Sequence, residues 1–518
     1  MRRWAERWSL ALRPLGVLLV AVSVLLVLLA CRQGIGLDWD AVVYLSAAQS
    51  FADTGRIVDF RGNELSTFAP GLPVALGVLL GAGADFNTVG VGLGAVALVV
   101  TLVSTYLVAR RVTSSAALAW ACVAVVGLSV GTLRVFSMLK TEALFSALVM
   151  IALALCLWAI DARRAPPWWL ASVAVTVSAA TTVRYIGFTL IPMAVLAAVL
   201  ASRGRGVRRM AGSALVVAAG ASTGLASVVL RNLRLGSAPL GGRVPGNLTP
   251  SRVAADTLTV WGSYLLPFQP GGTVQTAAGL VVPALVVLAA VAAWRRRSWP
   301  GLLLLVFACG FVATVVYSEF ATWIEPVSQR LLAPVFPSLV VLAVLGLSWL
   351  GGAAPDAAGR PSDVPVLVAR PLALGLLAFT LISSAVSSTS LALQVGRTGV
   401  GYNSVASRTS PTAEAVRGLP RDAGVAAMNG PRVYVASGRT PIVEIPAESY
   451  FLRRDSIDAK IETLKIQARS GQVDYLVYFD LDRSTRVVPP GRLAESGIHL
   501  RKMADYPDGE VWQVTGVS

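Results

Sequence analysis

The chain has 518 residues, of which 55% are hydrophobic and only 14% are charged, and its mean hydropathy is +0.68. This apolar surplus exceeds what a single soluble core buries, so the composition predicts a polytopic α-helical membrane protein. The net charge of +16 does not indicate nucleic-acid binding, because the arginines form short clusters between apolar segments, as the positive-inside bias of membrane proteins requires. The four cysteines lie in or beside apolar segments without CxxC spacing and are interpreted as packing residues.

Segments of about 20 apolar residues, the length needed to cross a bilayer, recur along the first part of the chain. Eleven transmembrane helices are predicted, at about 14–32, 87–109, 114–133, 141–160, 167–183, 185–202, 208–230, 274–294, 299–318, 330–350 and 370–394. The basic N-terminus has no convincing cleavage site and is predicted to stay, uncleaved, in the cytoplasm. The basic clusters of six segments, the N-terminus included, all fall on the cytoplasmic side under this assignment of spans. The transmembrane module (1–394) therefore has its first loop (33–86) outside.

Cations are unusual on the outer side of a membrane protein, yet several are predicted there, some beside a membrane edge. They are Arg134, Lys140, Arg184, Arg231, Arg234, Arg243, Arg252 and Arg330. Charges in such positions generally have an anionic partner. The alternative is that single arginines snorkel to the interface.

Residues 395–518 differ in composition and predict a small soluble α/β domain outside the membrane. Short strands are predicted in GVAAMN, TPIVEIP, DYLVYFD, IHLRKMADY and EVWQV, and an amphipathic helix in DSIDAKIETLKIQARSG. No phosphate-binding glycine loop occurs in this region, so we expect an accessory or acceptor-handling role. His499, the single histidine, is interpreted as structural because it lacks the companions of a metal site.

The first outer loop carries two carboxylates where a helix is predicted to begin. Asp40 falls in the first turn, where the helix dipole favours the ionised form, and Tyr44 belongs to the buried stripe of the same helix. The alternative is an ordinary helix cap. Capping does not explain the further acid Glu64 or the PGLP turn that follows it.

Four later clusters also bring charges to predicted membrane edges. Lys140 and Glu142 open the fourth span and do not face each other at this spacing. The other three clusters are Arg184-Tyr185, the segment RNLRLGSAPLGGRVPG with Arg231, Asn232 and Arg243, and Arg330 at the tenth span. Arginine forks suit phosphate oxygens, and the glycines allow close backbone approach.

The order of these motifs resembles the C-type (GT-C) glycosyltransferase superfamily. The motifs are D-x-D-x-x-x-Y-x-x-x-A, APGLP, TEALF, VRYIGF, RNLRLGSAPL and QRLLAPVFP, over about residues 30–340. Within the superfamily the pattern is similar to bacterial members of the group that contains the protein O-mannosyltransferases and the lipid A aminoarabinose transferase.

The resemblance implies an enzyme that uses a polyprenyl-phosphate sugar donor, with Asp40 as catalytic base and Asp38 as the runner-up. It further implies donor-phosphate binding by Lys140, Arg184, Arg231 and Arg330 and a cavity acid at Glu142. Glu64 is a second candidate cavity or metal acid, and the further candidate site residues are Tyr44, Tyr185, Asn232 and Arg243. The one cofactor the resemblance allows is a divalent cation (Mg, Mn or Ca), held by the cavity acids. This sequence has Asp40-Ala41 where many members have Asp-Glu, which leaves metal use open.

The expected reaction is an inverting transfer to a hydroxyl acceptor, because one carboxylate within reach of that hydroxyl suffices. The acceptor is expected to be a cell-envelope glycan, lipid or protein, in contact with membrane lipid. High Ala, Val, Arg and Gly usage indicates a bacterial genome and hence the plasma membrane. One alternative is a transporter or lipid flippase, although no two related halves are visible. Another is a membrane scaffold that binds cell-wall polymer, in which Asp40 would be dispensable.

Overall fold

A computed structural model describes residues 2–162, 166–242, 246, 248–268, 272–322, 326–350, 366–447, 457–480 and 487–518. The chain divides into two compact units. The first comprises Met1–Ala30, Ser66–Leu72 and Val91–Val395. The second comprises Cys31–Leu65, Pro73–Gly90 and Gly396–Ser518, so part of the first predicted outer loop belongs to the same unit as the C-terminal region.

Helices dominate the chain up to residue 398. In the described residues they are α1 (Arg2–Ala30), α2 (Trp39–Thr54), α3 (Gly71–Gly81), α4 (Phe86–Thr113), α5 (Ala116–Gly127), α6 (Val130–Phe136), α7 (Thr141–Ala162), α8 (Pro167–Val183), a 3-10 helix (Tyr185–Thr189), α9 (Leu190–Ala201), α10 (Val207–Arg234), α11 (Pro250–Leu265), α12 (Thr273–Gly279), α13 (Val281–Arg295), α14 (Trp299–Ala321), α15 (Gln329–Leu332), α16 (Phe336–Leu350) and α17 (Val366–Thr398). Each of the eleven predicted apolar segments contains one or more of these helices.

Among the described residues, six helical segments are long and apolar enough to cross a membrane, and α5 with α6 forms a seventh candidate. The protein is therefore a helical membrane protein, as predicted. Shorter apolar helices occupy four other predicted spans, at Pro14–Ala30, Trp168–Val183, Tyr185–Ala201 and Phe336–Trp349. Pro14–Ala30 is the apolar part of the 29-residue helix α1. For the other three, a helix of about 17 residues extends only ~26 Å, less than the ~30 Å hydrocarbon core. The number of crossing helices thus stays a prediction beyond these seven.

The third predicted span is not one straight helix. The chain bends by 61° between α5 and α6. Ser129 precedes α6 in an extended conformation, and this non-helical residue interrupts the hydrogen-bond ladder of α5. The bend separates an apolar helix from a short one that carries Arg134.

Helices α11 and α12 pack at backbone contact. A Cβ atom added at Gly262 would lie 1.7 Å from the carbonyl oxygen of Gln275, and one added at Gly279 would lie 1.9 Å from that of Leu258. Small residues permit this approach, which is common between helices of membrane proteins.

The C-terminal region forms the predicted α/β domain around a mixed sheet. Its described helices and strands are α18 (Val405–Arg408), α19 (Pro411–Gly418), β1 (Val425–Ala427), α20 (Gly430–Ser437), β2 (Ile442–Glu444), α21 (Ile457–Arg469), β3 (Tyr475–Phe479), α22 (Pro490–Glu495), β4 (Ile498–Tyr506) and β5 (Gly509–Val517). The strand order is β2-β1-β3-β5-β4. Strand β1 pairs in parallel with β2 and β3, whereas β5 is antiparallel to β3 and β4. All five predicted strands and the predicted helix are present.

Within the second unit, residues of the first predicted loop bind the sheet domain through the main chain. The Ile442 N–H donates to the carbonyl oxygen of Phe60 at 3.0 Å, and the Tyr402 N–H donates to that of Leu37 at 2.7 Å. The Tyr434 hydroxyl donates to Gln49. His499 is exposed on β4, and its carbonyl accepts a hydrogen bond from Thr515.

Candidate functional site

In the first unit, a buried carboxylate lies between two guanidinium groups. Glu142 stands in the first turn of α7, and its side chain is 2% exposed. Its Oε1 lies 2.6 Å from Arg184 Nη1 and 3.3 Å from Arg330 Nε. The first contact is short and direct, whereas the second is an ion pair without hydrogen-bond geometry. Three predicted site residues from three regions of the chain therefore meet.

Arg184 lies at a break between two helices, whereas Arg330 lies in a helix of one turn. Arg184 is extended (φ −152°, ψ 128°) between α8 and the 3-10 helix, which turns its side chain out of the helical run. A Cβ at Gly187 would lie 2.7 Å from the backbone of Ala180, so the chain folds back tightly there. Arg330 belongs to the short helix α15.

Thr141 completes the cluster. Its hydroxyl donates to Glu142 Oε2 at 3.1 Å and accepts a hydrogen bond from Arg184 Nη1 at 3.4 Å. Both carboxylate oxygens are thus engaged. A buried charge is tolerated only with such partners, and the free N–H groups at a helix N-terminus add further stabilisation.

Beside this cluster lies a cavity of about 790 Å³. Three cations line it, Arg134, Lys140 and Arg330, and Lys140 is only 8% exposed. Neutral polar side chains also line it, namely Ser263, Gln275, Ser328 and Gln329. Several cations around one cavity are suited to an anion, and guanidinium and ammonium groups are the usual ligands of phosphate.

Arg231 lies in a different place. It lines a second cavity of about 450 Å³ together with Arg234, at the end of α10. Of the four cations predicted to bind donor phosphate, the structure thus brings Lys140, Arg184 and Arg330 to the region of Glu142. It places Arg231 on another cavity wall.

Tyr185 and Asn232, two further predicted site residues, form one buried network. The Tyr185 hydroxyl is 2.6 Å from the carbonyl oxygen of Ser66 and 3.0 Å from that of Phe68. The Asn232 amide donates to Tyr185 and to the Pro239 carbonyl, both at 3.1 Å. Because Tyr185 follows Arg184 directly, this network anchors the break that carries the arginine.

In the second unit, the two aspartates of the first loop have different positions. Asp38 is the N-cap of α2, and its Oδ1 accepts from the Ala41 N–H at 3.0 Å. The ordinary capping interpretation thus holds for Asp38. Asp40 is half-buried in the first turn, and Tyr44 is 4% exposed on the same helix. The catalytic role of Asp40 stays a prediction.

The acids predicted as cavity or metal residues are bound to arginine. Glu64 Oε1 accepts from Arg56 Nε at 3.1 Å and Nη2 at 2.7 Å. No group of three His, Cys, Asp or Glu side chains with metal-binding geometry occurs in the described part of the chain. Glu142, with both oxygens engaged, therefore does not fit a metal ligand. Arg243 lies outside the described residues.

Sequence reasoning missed part of the cavity wall. The sequence places Arg134 among the outward cations but not among the phosphate ligands, and it does not indicate Ser328 or Gln329, yet all three line the cavity. Adjacency was the available signal, since Ser328 and Gln329 directly precede Arg330.

No protein-family model matches this chain, and no curated protein sequence matches it either. Solved structures match nearly all of it. ArnT from Cupriavidus metallidurans bound to undecaprenyl phosphate matches with a TM-score of 0.58 and 14% identity, over 96% of this chain and 97% of ArnT. The Archaeoglobus fulgidus oligosaccharyltransferase in complex with Zn and sulfate matches with a TM-score of 0.53 and 12% identity, over 95% and 72%. The arabinofuranosyltransferase AftD from Mycobacteria matches with 0.56 and 18%, over 97% of this chain but 40% of AftD.

Proposed function

Because the chain has the fold of the GT-C glycosyltransferases, we propose that it transfers a sugar from a polyprenyl-phosphate donor to a hydroxyl acceptor. The observation that carries the proposal is the cavity of about 790 Å³ that Arg134, Lys140 and Arg330 line. The undecaprenyl phosphate bound to ArnT supports a lipid phosphate as the anion.

In this proposal the three lining cations hold the donor phosphate. Cations fixed in a site shielded from water stabilise developing negative charge more strongly than they would in solution. Glu142 does not touch the donor and is a positioning residue, since it holds Arg330 at 3.3 Å and Arg184 at 2.6 Å. Arg184 acts through Glu142.

Asp40 is the proposed general base. It accepts the proton of the acceptor hydroxyl as that oxygen attacks the anomeric carbon, and the bond from this carbon to the phosphate oxygen breaks. The phosphodiester thereby becomes a polyprenyl monophosphate with one more negative charge, which the cations stabilise. A single displacement inverts the anomeric centre. The engagement of Asp38 as the α2 cap supports Asp40 over Asp38.

The proposed setting is the bacterial plasma membrane, crossed by eleven helices with the N-terminus in the cytoplasm. The sheet domain then lies outside, where a cell-envelope glycan, lipid or protein acceptor is available. No step of the proposed mechanism passes through a metal ion, because the carboxylates of Glu142 and Glu64 are bound to arginine.

Two matched variants test the base. Asp40→Asn is expected to lower transfer from a panel of polyprenyl-phosphate sugars by about 10²–10⁴-fold, the usual contribution of a general base. Asp38→Asn removes the same charge two positions earlier, yet asparagine caps helices as well as aspartate, so activity should persist. Thermal unfolding of both variants checks the fold. Full activity of Asp40→Asn would refute the assignment. If the protein reconstituted in vesicles moved the donor across the bilayer without cleaving it, the result would indicate the transporter alternative.

A further inference from the structure

We infer that the donor sugar is a neutral or acidic, hydroxyl-bearing sugar rather than a cationic amino sugar, and that Ser328 and Gln329 recognise its hydroxyl groups. The inference rests on the proposed function, because it takes the cavity of about 790 Å³ as the donor site.

The wall of this cavity carries positive charge. Arg134, Lys140 and Arg330 line it, and no carboxylate occurs among the described residues that do so. Glu142 is directed to Arg184 and Arg330 and cannot serve a ligand ammonium without giving up those pairs. The single negative charge of a donor phosphodiester already faces three cations. An ammonium group on the sugar would add a further positive charge beside these cations, which is unfavourable at low dielectric.

The wall also contains two neutral polar atoms whose hydrogen bonds are not satisfied by the described part of the chain. Ser328 Oγ and Gln329 Oε1 are buried and have no hydrogen-bond partner among the described residues. Ser328 occupies the cap position before α15, yet its side chain makes no cap hydrogen bond. Buried polar atoms without partners are unfavourable, and a ligand that supplies the partners recovers that free energy.

A hydroxyl group fits this wall better than an ammonium group. The Gln329 amide donates from Nε2 to Ser263 Oγ at 2.7 Å, which leaves its oxygen as an acceptor. If the amide were turned over, the free atom would be a donor instead. A sugar hydroxyl both donates and accepts, so it matches either orientation and the serine as well, whereas an ammonium group only donates.

Gln329 is also held in place before any ligand arrives. Its backbone carbonyl oxygen accepts a hydrogen bond from the Tyr264 hydroxyl at 3.2 Å, and Tyr264 stacks on Phe336 with ring centroids 4.0 Å apart. A Cβ at Gly131 would lie 2.9 Å from the Tyr264 ring and 3.4 Å from Gln329 Oε1, so the opposite wall packs closely. A residue fixed in this way is suited to discriminate between ligands.

The test uses two donors that differ in one group, undecaprenyl-phosphate arabinose and its 4-amino-4-deoxy counterpart, with bare undecaprenyl phosphate as the reference. Binding to the full-length protein in detergent is measured at neutral pH. We expect the amino donor to bind at least about tenfold more weakly than the arabinose donor, the consequence of roughly 1.4 kcal/mol. The difference should shrink when the pH rises above the pKa of the sugar amine.

Gln329→Met keeps the length of the side chain and removes its hydrogen bonds. It should weaken binding of the arabinose donor by about three- to tenfold, the range for one neutral hydrogen bond. It should change the affinity for bare undecaprenyl phosphate by less than about twofold. Gln467→Met on α21, outside the cavity wall, is the control and should change neither.

Equal or tighter binding of the amino donor would overturn the inference. A Gln329→Met variant that binds bare undecaprenyl phosphate and the sugar donor more weakly by the same factor would also overturn it, since that would be a structural effect. If the wild-type protein bound no undecaprenyl phosphate at all, the proposed function itself would fail, which is a separate and recognisable outcome.

Discussion

Glu142 illustrates how a buried charge is retained at the scale of one residue. Its carboxylate is 2% exposed and contacts two guanidinium groups whose side chains are 22% and 17% exposed. Removing one charge from a buried pair leaves the partners without compensation, which is more costly than loss of a surface pair. The cluster is therefore expected to be essential to stability as well as to the position of Arg330.

Glu142→Gln removes the negative charge with little change in shape. We expect it to lower the free energy of unfolding by about 3–5 kcal/mol and to raise the donor KM, because Arg184 and Arg330 then repel each other. Glu414→Gln is the matched control, since Glu414 pairs with Arg417 on α19 but is 73% exposed. Such a surface pair contributes under about 1 kcal/mol. Equal destabilisation of the two variants in denaturant titrations would contradict this account.

Asp508 plays a comparable part in the sheet domain. It accepts hydrogen bonds from the Ser410 hydroxyl, from the Thr412 N–H at 3.1 Å and from Thr412 Oγ1 at 2.7 Å. Partial burial acts to raise the pKa of Asp508, but the hydrogen bonds from Ser410 and Thr412 and the nearby Arg432 outweigh it and lower this pKa. The ionised carboxylate thus holds the turn between β4 and β5 against the start of α19.

Because the pKa of Asp508 is lowered on folding, its contribution to the free energy of unfolding depends on pH. The contribution of Asp508 is present above the ordinary aspartate pKa of about 4 and is lost as the pH falls through the lowered value. Asp508→Asn should destabilise the protein by about 1 kcal/mol at pH 7, and the difference from wild type should narrow as the pH falls. Unfolding curves between neutral and acidic pH measure it. A difference that stays constant across this range would exclude the linkage.

At the scale of helices, breaks and close contacts shape the cavity. Irregular backbone within a membrane protein is tolerated where it lines a cavity or is buried in protein. The 61° bend between α5 and α6 precedes Arg134, and the break after α8 carries Arg184. The α11–α12 pair supplies Ser263 and Gln275 to the same cavity.

Gly262→Ala tests the α11–α12 contact. The added methyl group would overlap the Gln275 carbonyl oxygen, so the helices must separate. We expect a loss of about 1–3 kcal/mol in unfolding free energy and weaker donor binding, since Ser263 and Gln275 shift. Gly310→Ala in α14 is the control, because apart from the two adjacent residues and the surrounding backbone of α14 itself no described atom lies within 4 Å of the added Cβ. A wild-type melting temperature and donor affinity for Gly262→Ala would show that the contact is not needed.

At the scale of the whole molecule, the orientation in the membrane is the main prediction. Eleven crossings place the N-terminus in the cytoplasm and residue 518 outside. Alkaline phosphatase fused after Ser518 should be active in a bacterial host, whereas a fusion after Arg205, in a predicted cytoplasmic loop, should be inactive. Expression of both fusions is checked by immunoblot. Activity in the reverse pattern would invert the topology and place the sheet domain in the cytoplasm.

The sequence by itself determined the apolar helical segments, the five strands and helix α21, and it singled out Glu142, Arg184 and Arg330 as site residues. Hydrophobic periodicity, turn residues and membrane-edge charges are local properties, so they can be read from neighbouring positions. For Lys140 and Glu142, the spacing of two residues predicts that the side chains do not face each other on a regular helix. The spacing of two residues along one helix indicates which side chains face different directions, but it does not identify the residues that Glu142 contacts.

Only the tertiary structure decided which charges meet. It joined Glu142 to Arg184 and Arg330, assigned Arg134 to their cavity, and placed Arg231 on another. It also bent the third predicted span and distinguished the Asp38 cap from Asp40. These outcomes depend on contacts between segments far apart in the chain and on helix breaks of one or two residues. Long-range contacts and short helix breaks leave no periodic signal in the sequence, because the packing of whole helices determines them.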